Sequence, residues 1–285
     1  MSRELGEINM LGNEINDSIR KYRHTLYFIS WIDDASGRSG VTKFEYGIIH
    51  KDKELFNILK NVIRGDISYI LLSNEGIYVQ WSRDAINPYG RVVGTTSSYD
   101  SLYSIILELK EKGMSDEERI ILRNALLMLY DRIENMTIDK DTILSKIDKL
   151  EEMIKEYISS NKNTPKYPVT LIKGKYERHI YTVDDETYTI AVEGIEIRDE
   201  EFAETILRLN NLDMELDENY PEIIKIVLTD NDILVNIEEP IHHSACRYYV
   251  TSIFNIIKSV RWVVENKLPN KDKLLSYMKK CLELI

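Results

Sequence analysis

ISYILLSNEGIYVQW, residues 67–81, reads as a strand, a tight polar turn and a second strand, and the chain carries the pattern twice. β-Branched and aromatic residues flank Asn74-Glu75-Gly76, the composition that a hairpin requires. The second copy is IIKIVLTDNDILVNI, residues 223–237. Laid without gaps, Ile67 meets Ile223, Ile70 meets Ile226, Leu72 meets Leu228, Ile77 meets Ile233 and Val79 meets Val235. The agreements fall on the apolar positions that a packed sheet needs.

Working outward, the first copy offers a strand over Thr25–Ile32, a turn cluster from Asp33 to Gly40, and a strand over Val41–Ile49. The second offers Ile180–Val183, the turn Asp184-Asp185-Glu186, and Thr187–Ile197, which brings Gly47 onto Gly194. Asp52 and Asp199 stand where N-caps belong. Each opens an amphipathic helix, with Leu55, Leu59 and Val62 in one and Phe202, Ile206 and Leu209 in the other. Beyond the hairpins, Arg91-Val92-Val93 and Arg247–Val250 read as a short fifth strand, followed by helices over Tyr99–Lys112 and Ser252–Asn266. A last helix starts at Ser115, whose spacing to Glu118 is that of a capping box, and its counterpart starts after Pro269.

The expected fold is therefore α+β, with two duplicated ββαβββαα units, each an antiparallel sheet flanked by helices. The boundaries read as a helical arm over 1–23, a first unit over 24–134, a linker over 135–170 and a second unit over 171–285. In the arm, Ile8, Leu11, Ile15 and Ile19 make one apolar stripe. In the linker, Ile143, Ile147, Leu150, Ile154 and Tyr157 form a short heptad-like seam. Such a seam either packs on its own domains or pairs with a second chain, which makes it the candidate self-association surface.

A hairpin, a helix, three antiparallel strands and two further helices, in the runs just quoted, resemble the longin fold. Roadblock domains, with the related profilin-like layering, are similar too. The resemblance covers most of the chain and is one of topology, with no family motif. It implies a non-catalytic platform that binds protein partners, a small GTPase among them, or binds its own kind.

The formal charge of −11 sets the balance against an electrostatic grip on nucleic acid. Cys246 and Cys281 are too few for a disulfide scaffold and fit a reducing, cytoplasmic setting. The first 17 residues lack the apolar core of an export signal, and no apolar run approaches the roughly 18 residues that span a bilayer, so a soluble protein is expected.

The chemistry-bearing residues are sparse. His242, His243 and Cys246 cluster, yet a structural zinc needs four ligands, and a cysteine nucleophile needs a positioned base. No metal and no cofactor are expected. Ser36–Gly40 lacks the Gly-Lys-Ser ending of a phosphate loop. Arg91 and Arg247 precede Thr95 and Thr251 near helix starts, where a guanidinium beside free amides can hold a phosphate or carboxylate. Trp31, Trp81, Tyr89, Tyr248 and Tyr249 read as core aromatics on strands, and Asp213–Glu218 as a solvated acidic loop. The function expected is that of a non-catalytic adaptor or assembly protein, able to form a homodimer. The alternative is an enzyme or small-anion or nucleotide-binding protein with its site between the repeats, built on Arg91, Thr95, Arg247 and Thr251.

Overall fold

The structure, a computed structural model, describes residues 3–30, 39–63, 65–86, 92–179, 182–212, 221–242 and 245–285. In chain order the elements begin with α1 (Arg3–Arg20), β1 (Arg23–Ser30), β2 (Ser39–His50), α2 (Lys53–Ile63), β3 (Asp66–Ser73), β4 (Gly76–Ile86) and β5 (Val92–Ser101). Three helices follow: α3 (Leu102–Lys112), α4 (Asp116–Asn135) and α5 (Lys140–Ser160). Then come β6 (Tyr167–Arg178), β7 (Val183–Asp185), β8 (Tyr188–Glu196), α6 (Glu200–Asn210), β9 (Glu222–Leu228), β10 (Ile233–His242) and β11 (Ala245–Ser252). The chain closes with α7 (Ile253–Asn266) and α8 (Lys271–Glu283). The class is α+β, with antiparallel sheets and helices packed on them.

Two compact units divide the chain, and neither is continuous in sequence: one is Tyr22–Asp139 with Asn266–Ile285, the other Met1–Lys21 with Lys140–Glu265. In the first, β1 to β5 form a sheet in which each strand pairs antiparallel with the next. Alternation sends Ile70, Leu72, Ile77 and Val79 to one face, where they join residues of α2, α3, α4 and α8 in a single buried cluster. At about 1.5–3 kcal/mol per fully buried aliphatic side chain, this cluster is the main source of the unit's stability. Asp52 caps α2 through Leu55 N–H at 3.1 Å, and Ser115 with Glu118 closes the capping box of α4. The hairpin turn does more than reverse the chain. Asn74 Nδ2 donates to the carbonyls of Asn266 and Leu268 at 2.8 and 2.7 Å, and Asn74 Oδ1 accepts from Asn270 N–H at 2.7 Å. The turn thereby holds the chain leading into α8, and Leu274, Met278 and Cys281 of that helix complete the cluster.

The other unit is a six-stranded sheet in the order β11-β10-β9-β8-β6-β7, closed by a further pairing of β11 with β6. One long strand makes this closure possible. From Tyr167 to Lys173, β6 pairs with β8; from Gly174 to Glu177 it pairs with β11. Gly174 sits at the change of partner with φ of 131°, a conformation that glycine adopts without penalty. Asn236 then fastens the first half of β6. Its fully buried amide accepts from Ile172 N–H at 2.8 Å, donates to Ile172 C=O at 2.8 Å and donates to Tyr249 C=O at 3.1 Å. A side chain here replaces a neighbouring strand. We expect Asn236→Leu to lower the unit's stability by about 2–3 kcal/mol, because it strands buried backbone groups as well as removing bonds. A lower urea midpoint at unchanged slope is the expected reading, and a variant as stable as the parent would contradict the clasp.

Helices α1, α5, α6 and α7 belong to this unit. The stripe of α1 lies against α5 and α6, and Gly12 permits the approach, since a methyl group there would stand 2.6 Å from Thr205 Cγ2. Glu14 pairs with Lys146 at 3.0 Å, while Arg261 of α7 reaches Asp148 at 2.5 Å.

The two hairpins have the same register. Ile70 pairs with Val79 and Leu72 with Ile77, and Ile226 pairs with Val235 and Leu228 with Ile233. Gly47 and Gly194 also occupy the same place. A Cβ would stand 2.9 Å from Leu72 O at one and 2.7 Å from Leu228 O at the other. Two local expectations differ from what is found. The first strand of the second unit is Tyr167–Arg178, starting within the expected linker and ahead of Ile180. β5 continues through Tyr99, so α3 begins at Leu102. Its N-cap is Ser101, which accepts from Ser104 N–H at 3.0 Å.

Candidate functional site

A cleft of about 560 Å³ opens in the β6–β11 unit where α6 ends against the sheet and α7. Asp199 starts α6 by accepting from Phe202 N–H at 2.9 Å, and Phe202, Ile206 and Leu209 anchor its buried face. The helix stops at Asn211, whose side chain turns back to Leu207 C=O at 3.0 Å. Leu209, Asn210, Asn211 and Leu212 consequently form one wall. Glu239 of β10 and Tyr249 of β11 form the floor, and Lys258, Ser259, Trp262 and Val263 of α7 the opposite side.

Its geometry centres on Tyr249. Asn210 Nδ2 donates to the phenol oxygen at 3.2 Å. Burial pushes the phenol pKa up, with the nearby Glu239 carboxylate adding to the rise, while the Asn210 hydrogen bond and Arg247 oppose it. The phenol therefore stays protonated at neutral pH and offers its remaining hydrogen-bonding capacity to the cleft. Arg247 lies two residues along β11, so its side chain emerges on the same face. Its guanidinium carbon stands 5.5 Å from the Tyr249 ring centroid, and Nη1 is 3.9 Å from Glu239, its cross-strand partner. Trp262 is 52% exposed, which leaves much of its indole on the rim.

The residues singled out by sequence meet different fates. Arg247 and Thr251 both lie on β11, and Arg247 is engaged by a carboxylate and a ring. Arg91 lies outside the described residues, and of Thr95 only its place in β5 is described. His243 also lies outside them, as does the side chain of His242, together with Asp33, Asp34, Tyr89 and the acidic loop from Asp213 to Glu218. Burial and a hydrogen bond with Glu238 raise the Cys246 thiol pKa, the reverse of the shift that activates a nucleophile. Among the described residues, no three His, Cys, Asp or Glu side chains stand together in a metal-binding group. Ile143, Ile147, Leu150 and Ile154 are buried within their own unit, with Tyr157 half-buried beside them.

Asn210, Glu239 and Trp262 escape sequence reasoning because they come from three elements far apart in the chain. The alternation of Arg247 and Tyr249 on one strand face is the signal that was available. No protein-family model, curated protein or solved structure matches this chain. Among the described residues no helix is long and apolar enough to cross a membrane.

Proposed function

We propose that the protein is a non-catalytic adaptor that holds an extended segment of a protein partner along the open edge of β8. The carrying observation is the pairing of that strand. β8 pairs with β6 from Tyr188 to Gly194, but with β9 only at Ile195 and Glu196. Among the described residues, no second strand covers Tyr188–Glu193, and Tyr188 and Ile190 are 55% and 37% exposed. Sheet edges are commonly blunted by lysine, proline, a bulge or a covering helix. Tyr188-Thr-Ile-Ala-Val-Glu193 contains neither lysine nor proline. Such an edge offers main-chain hydrogen bonds to an incoming strand, and its alternating apolar side chains offer specificity.

The same reading takes the two units as copies of one ancestral unit, supported by the shared hairpin register and by the equivalent glycines at 47 and 194. Its partners are proteins, a second copy of the chain and, by the longin and roadblock resemblance, a small GTPase. The two free cysteines support a cytoplasmic setting.

Tyr188→Lys combined with Ile190→Lys tests the edge. A partner recovered by affinity capture should bind the double variant at least about tenfold more weakly, at unchanged melting temperature, because both sites are exposed. Binding should also protect the amides of Tyr188–Glu193 from hydrogen exchange. Equal binding by parent and variant would sink the reading. The alternative, a small-anion or nucleotide site built on Arg91, Thr95, Arg247 and Thr251, rests among the described side chains on Arg247 and Thr251, and the next experiment separates it by sign.

A further inference from the structure

We propose that the cleft at the end of α6 binds an organic cation, an amine or guanidinium carried on an apolar stem. The proposal goes beyond the adaptor reading and does not depend on it. Several independent features of the cleft favour positive charge. Glu239 places a carboxylate on its floor, and Tyr249 and Trp262 present aromatic rings. Ring faces attract ammonium and guanidinium groups within about 6 Å of their centroids. The cleft lies at the C-terminal end of α6, the end at which the helix dipole is negative.

The chain itself supplies a demonstration. The Arg247 guanidinium, beside the residues that line the cleft, already lies 5.5 Å from the Tyr249 ring centroid and 3.9 Å from Glu239, so this ring and carboxylate already attract one cation. That side chain is 63% exposed and is held, among the described residues, only by an ion pair at 3.9 Å and the ring contact, so a ligand can displace it into solvent. Leu209, Leu212 and Val263 give the cleft an apolar interior for a stem, and about 560 Å³ is ample for an arginine-sized molecule. The net charge of −11 also draws cations toward the chain. Two charges oppose the ligand, Arg247 and the exposed Lys258 on the rim. That opposition gives the test its sign.

The same chemistry reaches the cleft from two sources, a free amine or a basic side chain of a protein partner. Isothermal titration of the full chain with arginine methyl ester, spermidine, a blocked Gly-Arg-Gly peptide and AMP separates the possibilities. Binding of the cationic probes is expected, weakened about tenfold by Glu239→Gln and by Trp262→Ala, and strengthened by Arg247→Ala and Lys258→Ala. Tyr249→Phe, which keeps the ring, should retain binding. A preference for the peptide over the ester assigns the cation to a protein partner, and the reverse preference assigns it to a small molecule; either result supports the site. Three results would overturn it: no binding of any cationic probe, cation binding indifferent to both Glu239→Gln and Trp262→Ala, or AMP binding that Arg247→Ala abolishes. The last is the outcome that an anion site requires.

Discussion

Ile147→Asp should unfold the β6–β11 unit without yielding a folded monomer from a dimer. Ile147 and Ile154 are fully buried, Ile143 and Leu150 are 2% and 3% exposed, and the stripe they form on α5 is taken up inside the unit, where α1 packs against α5. Removing a buried isoleucine costs about 2–5 kcal/mol. A carboxylate left in its place adds a desolvation penalty of similar size, or protonates and remains an unpaired polar group. A total beyond about 4 kcal/mol is a large share of the 5–15 kcal/mol that holds an ordinary domain together. Far-ultraviolet circular dichroism and sedimentation together read the result. Loss of helix signal with aggregation is expected. A cooperatively folded variant of halved mass would instead mean that Ile143–Tyr157 joins two chains. The apolar positions of the seam legible in the sequence are buried within the unit, where α1 packs against α5.

Gly174→Val should be the next most damaging change. Its φ of 131° lies where a β-branched residue is strongly disfavoured. The space is also closed. A Cβ there would stand 2.8 Å from Thr187 Cα and closer still to the Glu186 carbonyl oxygen, both backbone atoms that cannot swing aside. Strain and overlap together should cost on the order of 3–4 kcal/mol. Because Gly174 is where β6 leaves β8 for β11, the damage should be selective. Hydrogen exchange should quicken at Gly174–Glu177 and along β11, while the hairpin of β3 and β4 in the other unit keeps its protection. Gly174→Ala should show the same pattern more mildly. A valine variant with parental exchange would remove the pivot from the account of this fold.

How much of this was legible depends on how local the signal is. The hairpins are legible because their alternation has a period of two and their turns are polar, and the register follows from the same alternation. Asp52, Asp199 and the Ser115–Glu118 pair are legible because a cap is a short-range bond. β6 is harder: Pro168, Lys173, Gly174 and Lys175 break the apolar pattern, since this strand is exposed over much of its length and changes partner midway. The start of α3 is displaced because Tyr99 and Asp100 extend β5 before Ser101 can cap. In α1 the apolar stripe is legible, but the burial of Asn9 and Asn16, each 1% exposed with its amide unpartnered, is not. Those two asparagines are buried because α1 packs against both α5 and α6 and hides two faces. The cleft is the least legible part, because a cavity belongs to the packing of α6, α7 and the sheet and to no single run of residues.

The grip of Asn74 on the chain entering α8 bears on the order in which the protein is finished. The unit that begins at Tyr22 receives Leu274, Met278 and Cys281 only after the other unit, which needs nothing beyond Glu265, has been fully synthesised. The two units interleave in time: the one that includes Met1–Lys21 is complete at Glu265, before the one that starts at Tyr22 receives α8. At a synthesis rate of about 5–20 residues per second, the surface awaiting α8 stays open for roughly ten seconds on the ribosome. During that interval the apolar sides of α3 and α4 that α8 will cover are open to any chaperone or neighbouring chain. A ribosome pausing between Asn266 and Lys271 would therefore endanger the unit built on Tyr22–Asp139, which still lacks α8, while the other unit already has all of its residues.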